Sequence, residues 1–353
     1  MIDTISLENF TLFHGVNAEF CPGINVIIGE NGTGKTQLLK AGYAACSTAE
    51  QIGASSLDPD IVKSKLTERF VSLFKPLDDK LGKLHRNGAD SNGKITVKFA
   101  DEKELALSFF NNSQNLAVIG TGNLDKAEAA PVYIPTKEVL SFMKGFTSLY
   151  QRFGLSFDQT YQDICISLDL PEIKPEQLQE KSTWAINEIN SVVGGQFVFY
   201  GGGKVTFKSE NNEYSANVVA EGFRKAGMLA RLLETGVIQP GISGTLFWDE
   251  PESNLNPKLM EMLVKILLEL SRNGLQIVIA THDYVFLKWF DLLSDKDKGD
   301  QIRYHALYKD EKTKKIQLDH AENFKSLSVN AISDTFSDLT KAQVKFKMGG
   351  LGQ

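Results

Sequence analysis

The 353-residue chain has only three cysteines, Cys21, Cys46 and Cys165. Their spacing forms neither a pair nor a metal-ligand pattern. A disulfide framework and a cysteine-held metal are thereby excluded, and buried apolar thiols in a reducing compartment are the expectation. The five histidines are scattered and give no metal signature. Positive charge is not in excess either. Lys and Arg total 38 against 44 Asp and Glu, a formal net charge of -6. That balance argues against binding nucleic acid through bulk charge and leaves only a local basic groove open. No apolar run approaches the roughly 20 residues that span a bilayer. Met1 to Ile5 show no secretory leader pattern. Internal repeats and long low-complexity segments are missing. What remains, 42% hydrophobic and 23% charged, suits a globular protein of one large or two modest domains, expected in the cytoplasm and off the membrane.

Against this plain background one stretch stands out. Gly29-Glu30-Asn31-Gly32-Thr33-Gly34-Lys35-Thr36 fits the phosphate-loop pattern G-x-x-x-x-G-K-[ST]. Its glycines let successive backbone N–H groups, from Gly29 through Asn31, Gly32, Thr33 and Gly34, converge on phosphate oxygens. Lys35 brings a positive charge to the β- and γ-phosphates, and the Thr36 hydroxyl can ligand Mg²⁺. Asn25 to Ile28 read as a buried strand before the loop. Gln37 to Ala41 begin a helix after it, so the phosphates meet a helix N-terminus with Gln37 beside them. A Gly-rich turn without function is the weaker alternative in that context.

The rest of the chain reads as alternating strands and helices. Residues 3–28 give two or three strands. Phe10 and Phe13 fit a contact with a nucleotide base and a core role equally well. A helix follows the loop to about Ala45. A second helical stretch runs over Ile61 to Leu84 and breaks near Pro76. Ile95 to Phe99 and Leu105 to Phe109 alternate strictly and predict a hairpin joined by Asp101 to Glu104. Pro131 to Pro135 is a short strand, taken as central, that ends at Thr136-Lys137-Glu138. Residues 139–193 form a helical block, with Phe142, Phe146, Leu149 and Tyr150 on one apolar face and Trp184, Ile186, Ile189 and Val192 on another. Strands resume at Gln196 to Tyr200 and Lys204 to Lys208 around Gly201-Gly202-Gly203, and a third ends near Val219. Glu221-Gly222 opens a helix through Leu233. Gly244 to Trp248 is a buried strand ending at Asp249-Glu250. Asn256 and Pro257 start the next helix. Gln276 to Ala280 is a buried strand ending at Thr281-His282-Asp283. Two strands near Arg303 to Tyr308 and Lys315 to Leu318 precede an amphipathic C-terminal stretch. Met348 to Gln353 are Gly-rich and expected to fray.

Three buried strands thus end in polar residues that can share one edge of a sheet: Gly29 to Thr36, Asp249-Glu250 and Thr281-His282. Phosphoryl transfer needs a cradle, a metal, an oriented water and compensation for developing charge. Lys35 and the loop amides provide the cradle. Thr36 and Asp249 can hold Mg²⁺, Asp249 acting through a metal-bound water. Glu250 is placed to orient or deprotonate the attacking water. His282 can hydrogen-bond the γ-phosphate or that water. An ordinary strand end accounts for Asp249-Glu250 alone, and a structural imidazole for His282 alone. The three sites in this order make both accounts improbable together.

Asp249-Glu250-Pro251-Glu252, Asn254-Leu255-Asn256-Pro257 and Ala280-Thr281-His282 resemble the ABC-type ATPase head. The opening, with Glu8-Asn9-Phe10 and Gly23 to Gly32, resembles the RecF and SMC branch of those heads. The nearest likeness is to stand-alone bacterial AAA-family ATPases related to the overcoming-lysogenization-defect group, many of them linked to anti-phage defence. The resemblance covers nearly the whole chain and is strongest over residues 1–40 and 220–290. It implies an α/β fold, a P-loop NTPase head with a mixed central sheet flanked by helices, an antiparallel N-terminal β-subdomain and a helical insertion. It implies ATP and Mg²⁺ as cofactors and a homodimer that sandwiches two ATP molecules. Ala220 to Lys225 take the signature position, so Glu221 and Gly222 would approach the γ-phosphate in trans, with Arg224 or Lys225 acting as a finger. Ser253 and Asn254 would cross the dimer seam. Some positions depart from the pattern. Ala220 or Glu221 stands where a Ser is usual, Phe10-Thr11 replaces a Phe-Arg pair, and the switch glutamine has no match unless Lys137 or Glu138 stands in.

The organisation expected is a single head over residues 1–353. An ATP-binding lobe covers 1–138, a helical insertion 139–195 and a C-terminal lobe 196–353. The function expected is an ATP-driven dimeric switch that acts on DNA or a separately encoded effector, in anti-phage defence. A RecF-like DNA-repair protein that binds DNA directly is the alternative. An ABC transporter subunit is the more distant one, disfavoured by the missing signature and switch glutamine.

Overall fold

The structure is a computed structural model of the chain and describes residues 1–53, 59–100, 102–120 and 129–347. The chain opens with β1 (Ile2–Phe10) and β2 (Phe13–Glu19), then β3 (Ile24–Gly29). Helices α1 (Lys35–Gly53) and α2 (Pro59–Phe74) follow. Next come β4 (Gly93–Phe99), β5 (Lys103–Phe109), β6 (Ala117–Gly120) and β7 (Val132–Ile134). The helical block holds α3 (Phe146–Phe153), α4 (Gln159–Leu168) and α5 (Glu180–Val193). After it stand β8 (Gln196–Phe199), β9 (Val205–Ser209), β10 (Asn212–Ser215) and α6 (Glu221–Glu234). Then β11 (Leu246–Asp249), α7 (Pro257–Arg272), β12 (Ile277–Thr281) and α8 (Tyr284–Leu293) alternate. The chain closes with β13 (Ile302–Lys309), β14 (Ile316–Ala321) and α9 (Ala331–Lys347).

The centre is a six-stranded sheet in the order β14-β13-β3-β12-β11-β7. Its strands are parallel except β14, which runs antiparallel to β13. β3, β11 and β12 are buried along their whole length. Strands covered on both faces read as unbroken apolar runs, which is how these appear in the sequence. Alternate side chains feed two cores. Ile24, Val26, Ile28, Trp248 and Ile279 face the core built with α4 to α8. Ile27, Tyr133, Phe247, Val278 and Ala280 face the core built with α1, α2 and the N-terminal strands. Those strands form an antiparallel sheet, β2-β1-β4-β5-β6, and β8 to β10 form a third, smaller one. The α/β head with a mixed central sheet, an antiparallel N-terminal sheet and a helical block is therefore as expected.

Several local expectations change. α1 runs to Gly53, beyond Ala45, because no breaker intervenes and Ala45, Cys46 and Ala49 are buried on its inner face. The second helix stops at Phe74, and Pro76 hands over to two short 3₁₀ turns, Leu77–Asp79 and Leu81–Leu84. β10 ends at Ser215, and a 3₁₀ turn over Ala216–Val218 takes the place of the strand's last residues. β7 is one of the two edge strands of the sheet, paired with β11 alone among the described residues. Leu149 and Trp184 point outward, 48% and 36% exposed, so the apolar faces of the helical block are narrower than their spacing suggested. Asp101 and Met348 to Gln353 lie outside the described residues. Among the described residues no helix is long and apolar enough to cross a membrane.

Candidate functional site

β3, β12 and β11 are parallel neighbours. Their C-terminal ends therefore share one edge, the place where open α/β sheets bind ligands. The phosphate loop leaves β3 there and turns directly into α1. Gly29 and Gly34 have φ of 152° and 98°, in the region open to glycine. Each is also crowded. A Cβ at Gly29 would strike the Leu307 carbonyl, and one at Gly34 would strike the Phe13 ring. Phe13 thus belongs to the support beneath the loop. Phe10 lies edge-on to Phe70, Phe74 and Phe109. Both rings are fully buried, which settles their role as core. Gln37 accepts a hydrogen bond from the Thr11 hydroxyl, fixing the start of α1 to the β1–β2 turn.

Lys35 is folded over its own loop. Its Nζ donates to the Gly29 carbonyl at 2.7 Å and the Glu30 carbonyl at 3.1 Å, in an almost buried position. Burial pulls its pKa below the ordinary lysine value, and the carboxylates of Glu250, Asp249 and Glu252 oppose that shift. Thr36 Oγ1 donates to Asp249 Oδ2 at 2.9 Å, and Thr136 Oγ1 from the end of β7 donates to the same oxygen at 3.1 Å. Asp249 is buried. Burial raises its pKa, while the Thr36 and Thr136 hydroxyls lower it. A hydroxyl and a carboxylate side by side, with phosphate oxygens expected beside them, form the hard-oxygen set that Mg²⁺ takes. Among the described residues no cluster of three or more His, Cys, Asp or Glu offers another metal site.

The turn after β11 carries Glu250. Glu250 has φ of 49°, left-handed for a residue with a side chain. Such a conformation costs on the order of 1–3 kcal/mol and persists where surroundings impose it. Here the Glu250 N–H donates to the Ala280 carbonyl at 2.9 Å. Glu250 Oε1 lies 3.1 Å from His282 Nδ1. Glu252, two residues on, is buried. Its Oε1 accepts from Thr281 Oγ1 at 2.6 Å and from the His282 N–H at 3.4 Å. Burial raises the pKa of Glu252, against the lowering effect of the Thr281 hydrogen bond. Its contact with the His282 strand end was not foreseen in the sequence. The only signal for it was a second glutamate in Asp249-Glu250-Pro251-Glu252.

Ala220 to Lys225 stand at the N-terminus of α6. Ala220 caps that helix without a side-chain hydrogen bond. Gly222 is buried against the turn after β11, and a Cβ there would press on the Asn254 carbonyl and Leu255. The finger reading of Arg224 and Lys225 is corrected in this conformation. Lys225 is 1% exposed. Its Nζ donates to the Thr136 carbonyl at 2.9 Å, the Glu250 carbonyl at 2.5 Å and the Ser253 hydroxyl. Arg224 pairs with Glu138 at 2.9 Å and donates to the Val219 carbonyl. Neither presents a free cation to a second chain. Glu138, buried in that ion pair, is likewise unavailable as a switch residue, and Lys137 is exposed. Thr136 is the member of that segment that reaches Asp249.

Residues 146–288 match the family model described as "AAA domain, putative AbiEii toxin, Type IV TA system", and residues 4–124 match one described as "AAA domain". The chain is 27% identical over 185 residues to the DNA replication and repair protein RecF of Streptococcus uberis. That stretch is 52% of this chain and 42% of RecF, so the chain spans less than half the length of this relative. Among solved structures, the SMC head bound to the C-winged helix domain of ScpA superimposes with a TM-score of 0.54 at 10% identity, over 92% of this chain and 98% of that one. The SMC head domain from Thermotoga maritima gives 0.50 at 13% identity, over 91% and 99%. Fold and sequence likeness converge: the chain has the fold of the SMC head domains, matches AAA-domain models over two segments, and is similar in sequence to RecF.

Proposed function

We propose that the chain is a Mg²⁺-dependent ATPase that closes as a homodimer around ATP and so switches a DNA transaction or a partner effector. One observation carries the reading. Lys35, Thr36, Asp249, Glu250 and His282 gather at the C-terminal edge of three adjacent parallel strands, with Thr36 and Asp249 already in contact. In the reaction the loop amides and Lys35 bind the phosphates, and Thr36 and Asp249 would hold Mg²⁺, which neutralises developing charge. Glu250 takes a proton from the attacking water, and His282 holds that water or the γ-phosphate. Half-buried Glu221 and buried Gly222, at the start of α6, would serve the second chain's nucleotide. The lobes 1–138 and 196–353 and the insertion 139–195 are the parts that would shift on closure.

The likeness to RecF, a DNA replication and repair protein, favours DNA as the target and supports direct DNA binding as the second reading. The model description that includes a toxin of a toxin–antitoxin system supports an effector role in defence. The decisive variant is Glu250→Gln. It is expected to bind ATP, to hydrolyse it at least about 100-fold more slowly, and to run as a dimer in gel filtration with ATP and Mg²⁺. Lys35→Ala is expected to lose ATP binding and stay monomeric. DNA or protein that co-purifies with the first variant and not the second identifies the target. Wild-type turnover in Glu250→Gln refutes the assignment of the base, and a monomer with ATP bound refutes the sandwich.

A further inference from the structure

His282 lies between two carboxylates. Its Nδ1 is 3.1 Å from Glu250 Oε1 and 3.9 Å from Glu252 Oε1. The two glutamates differ in freedom. The Glu250 side chain is 26% exposed and can turn, whereas that of Glu252 is 4% exposed and fixed by the Thr281 hydroxyl. Glu252 Oε2 is buried with no hydrogen-bond partner, the only buried carboxylate oxygen among the described residues in that state. Burying an unpaired polar atom is costly and calls for a reason. The other oxygen of Glu252, Oε1, is the one that faces His282. To accept a proton from the attacking water, Glu250 must aim its carboxylate at that water, and this loosens its hold on the imidazole. A ring that loses its only anchor at that moment would misplace Nε2, the nitrogen left to face the phosphate.

We infer that Glu252 is a positioning residue for ATP hydrolysis, a fixed second carboxylate that retains His282 while Glu250 turns to the water. The inference rests on the ATPase reading. The proton balance is simple. Water oxygen attacks the γ-phosphorus, the bond to ADP breaks, and the water proton passes to Glu250. Glu252 takes no proton and acts only on the orientation of His282, through Nδ1 and the main-chain N–H of the same residue. The Glu252 carboxylate opposes the burial that pulls the Lys225 pKa down.

Glu252→Gln keeps an oxygen acceptor for Thr281 and removes the carboxylate charge. It is expected to lower kcat about tenfold while the KM for ATP stays within about twofold, as loss of an orienting partner does. Circular dichroism melting checks that the variant folds. In a His282→Ala background the same change is expected to cost less than about twofold, because its effect runs through the imidazole. A second readout needs no turnover. With ¹⁵N-labelled histidine in the ATP-bound Glu250→Gln protein, Glu252→Gln is expected to move the Nδ1 signal of His282 and leave the other four histidines in place. Full kcat in Glu252→Gln, losses that multiply in the double variant, or an unmoved His282 signal each overturn the inference. If the wild-type chain does not hydrolyse ATP, the proposed function fails, and the spectrum still decides whether Glu252 holds His282.

Discussion

Lys225 carries a charge to a place from which water is excluded. Its ammonium ties α6 to the end of β7 and to the turn that holds Glu250. It holds Glu250 by the main-chain carbonyl, which helps keep φ at 49°. Burial pulls its pKa from an ordinary 10.5 to about 8, against the attraction of Glu252 and Glu250. Below pH 8 folded and unfolded chains are both charged here, and the burial penalty is present in full. Between about 8 and 10.5 the unfolded chain binds the proton that the folded one has released, so this group makes stability rise with pH. Three oxygen acceptors favour the charged form and temper the effect. Wild type is therefore expected to gain about 1–3 kcal/mol on Lys225→Met between pH 7.5 and 10.5, measured by urea unfolding of both proteins across that range. A constant difference would refute it. The sequence could not show this role. Lys35, Thr36, Asp249, Glu250 and His282 were legible because each sits in a short local pattern. The partners of Lys225 lie 89, 25 and 28 residues away, and a cation in a signature segment read more simply as a finger.

The helices that meet beside the phosphate loop are joined by charge as well as by apolar packing. Lys40 of α1 pairs with Asp158, the cap of α4, at 2.7 Å. Tyr43 of α1 donates to Asp163 of α4 at 2.8 Å, and Arg69 of α2 pairs with the same carboxylate at 2.8 Å. Burial and the nearby Asp163 push the Tyr43 hydroxyl well above its ordinary pKa, so it remains a donor. The helix that starts at Lys35 is thus tied to the helical block at two points. Removing one partner of a buried pair leaves the other charge uncompensated. Arg69 and Asp163 side chains are 13% and 21% exposed, so water screens part of the loss. Asp163→Ala is expected to cost about 2 kcal/mol, seen as a lower urea midpoint with unchanged slope, while ATP affinity changes little. Apolar spacing was enough to locate these helices, since Leu66 and Phe70 of α2 and Ile186 and Ile189 of α5 are buried as the period requires. Spacing says nothing about which helix faces which. Ends were legible where a breaker or cap stood, at Pro76 and at Asn256, which accepts from the Leu259 N–H at 2.9 Å. They were missed at α1 and β10, although Gly53 closes the helix and Ser215 caps the turn after the strand.

At the scale of the whole molecule, one chain holds a phosphate loop and a signature segment that are expected to serve different nucleotides. In a two-fold dimer each patch meets the other patch of its partner, so two composite sites form together. Because Arg224 and Lys225 are engaged within their own chain, the trans contribution in this arrangement falls to the backbone N–H groups at the start of α6. A helix N-terminus carries partial positive charge and suits a phosphate. This division of labour can be tested by mixing. Lys35→Ala has an inactive loop and an intact signature. Gly222→Glu has an intact loop, and its new side chain presses on Asn254 and sets a negative charge beside the γ-phosphate. Each is expected to be inactive alone. In an equal mixture about half the dimers pair one of each. In those, the intact loop of one chain meets the intact signature of the other at one of the two sites. Activity should return to about a quarter of wild type, if sites act independently. No recovery, with mixed dimers shown by native mass spectrometry, would mean that the sites are not shared or that both must work for either to turn over.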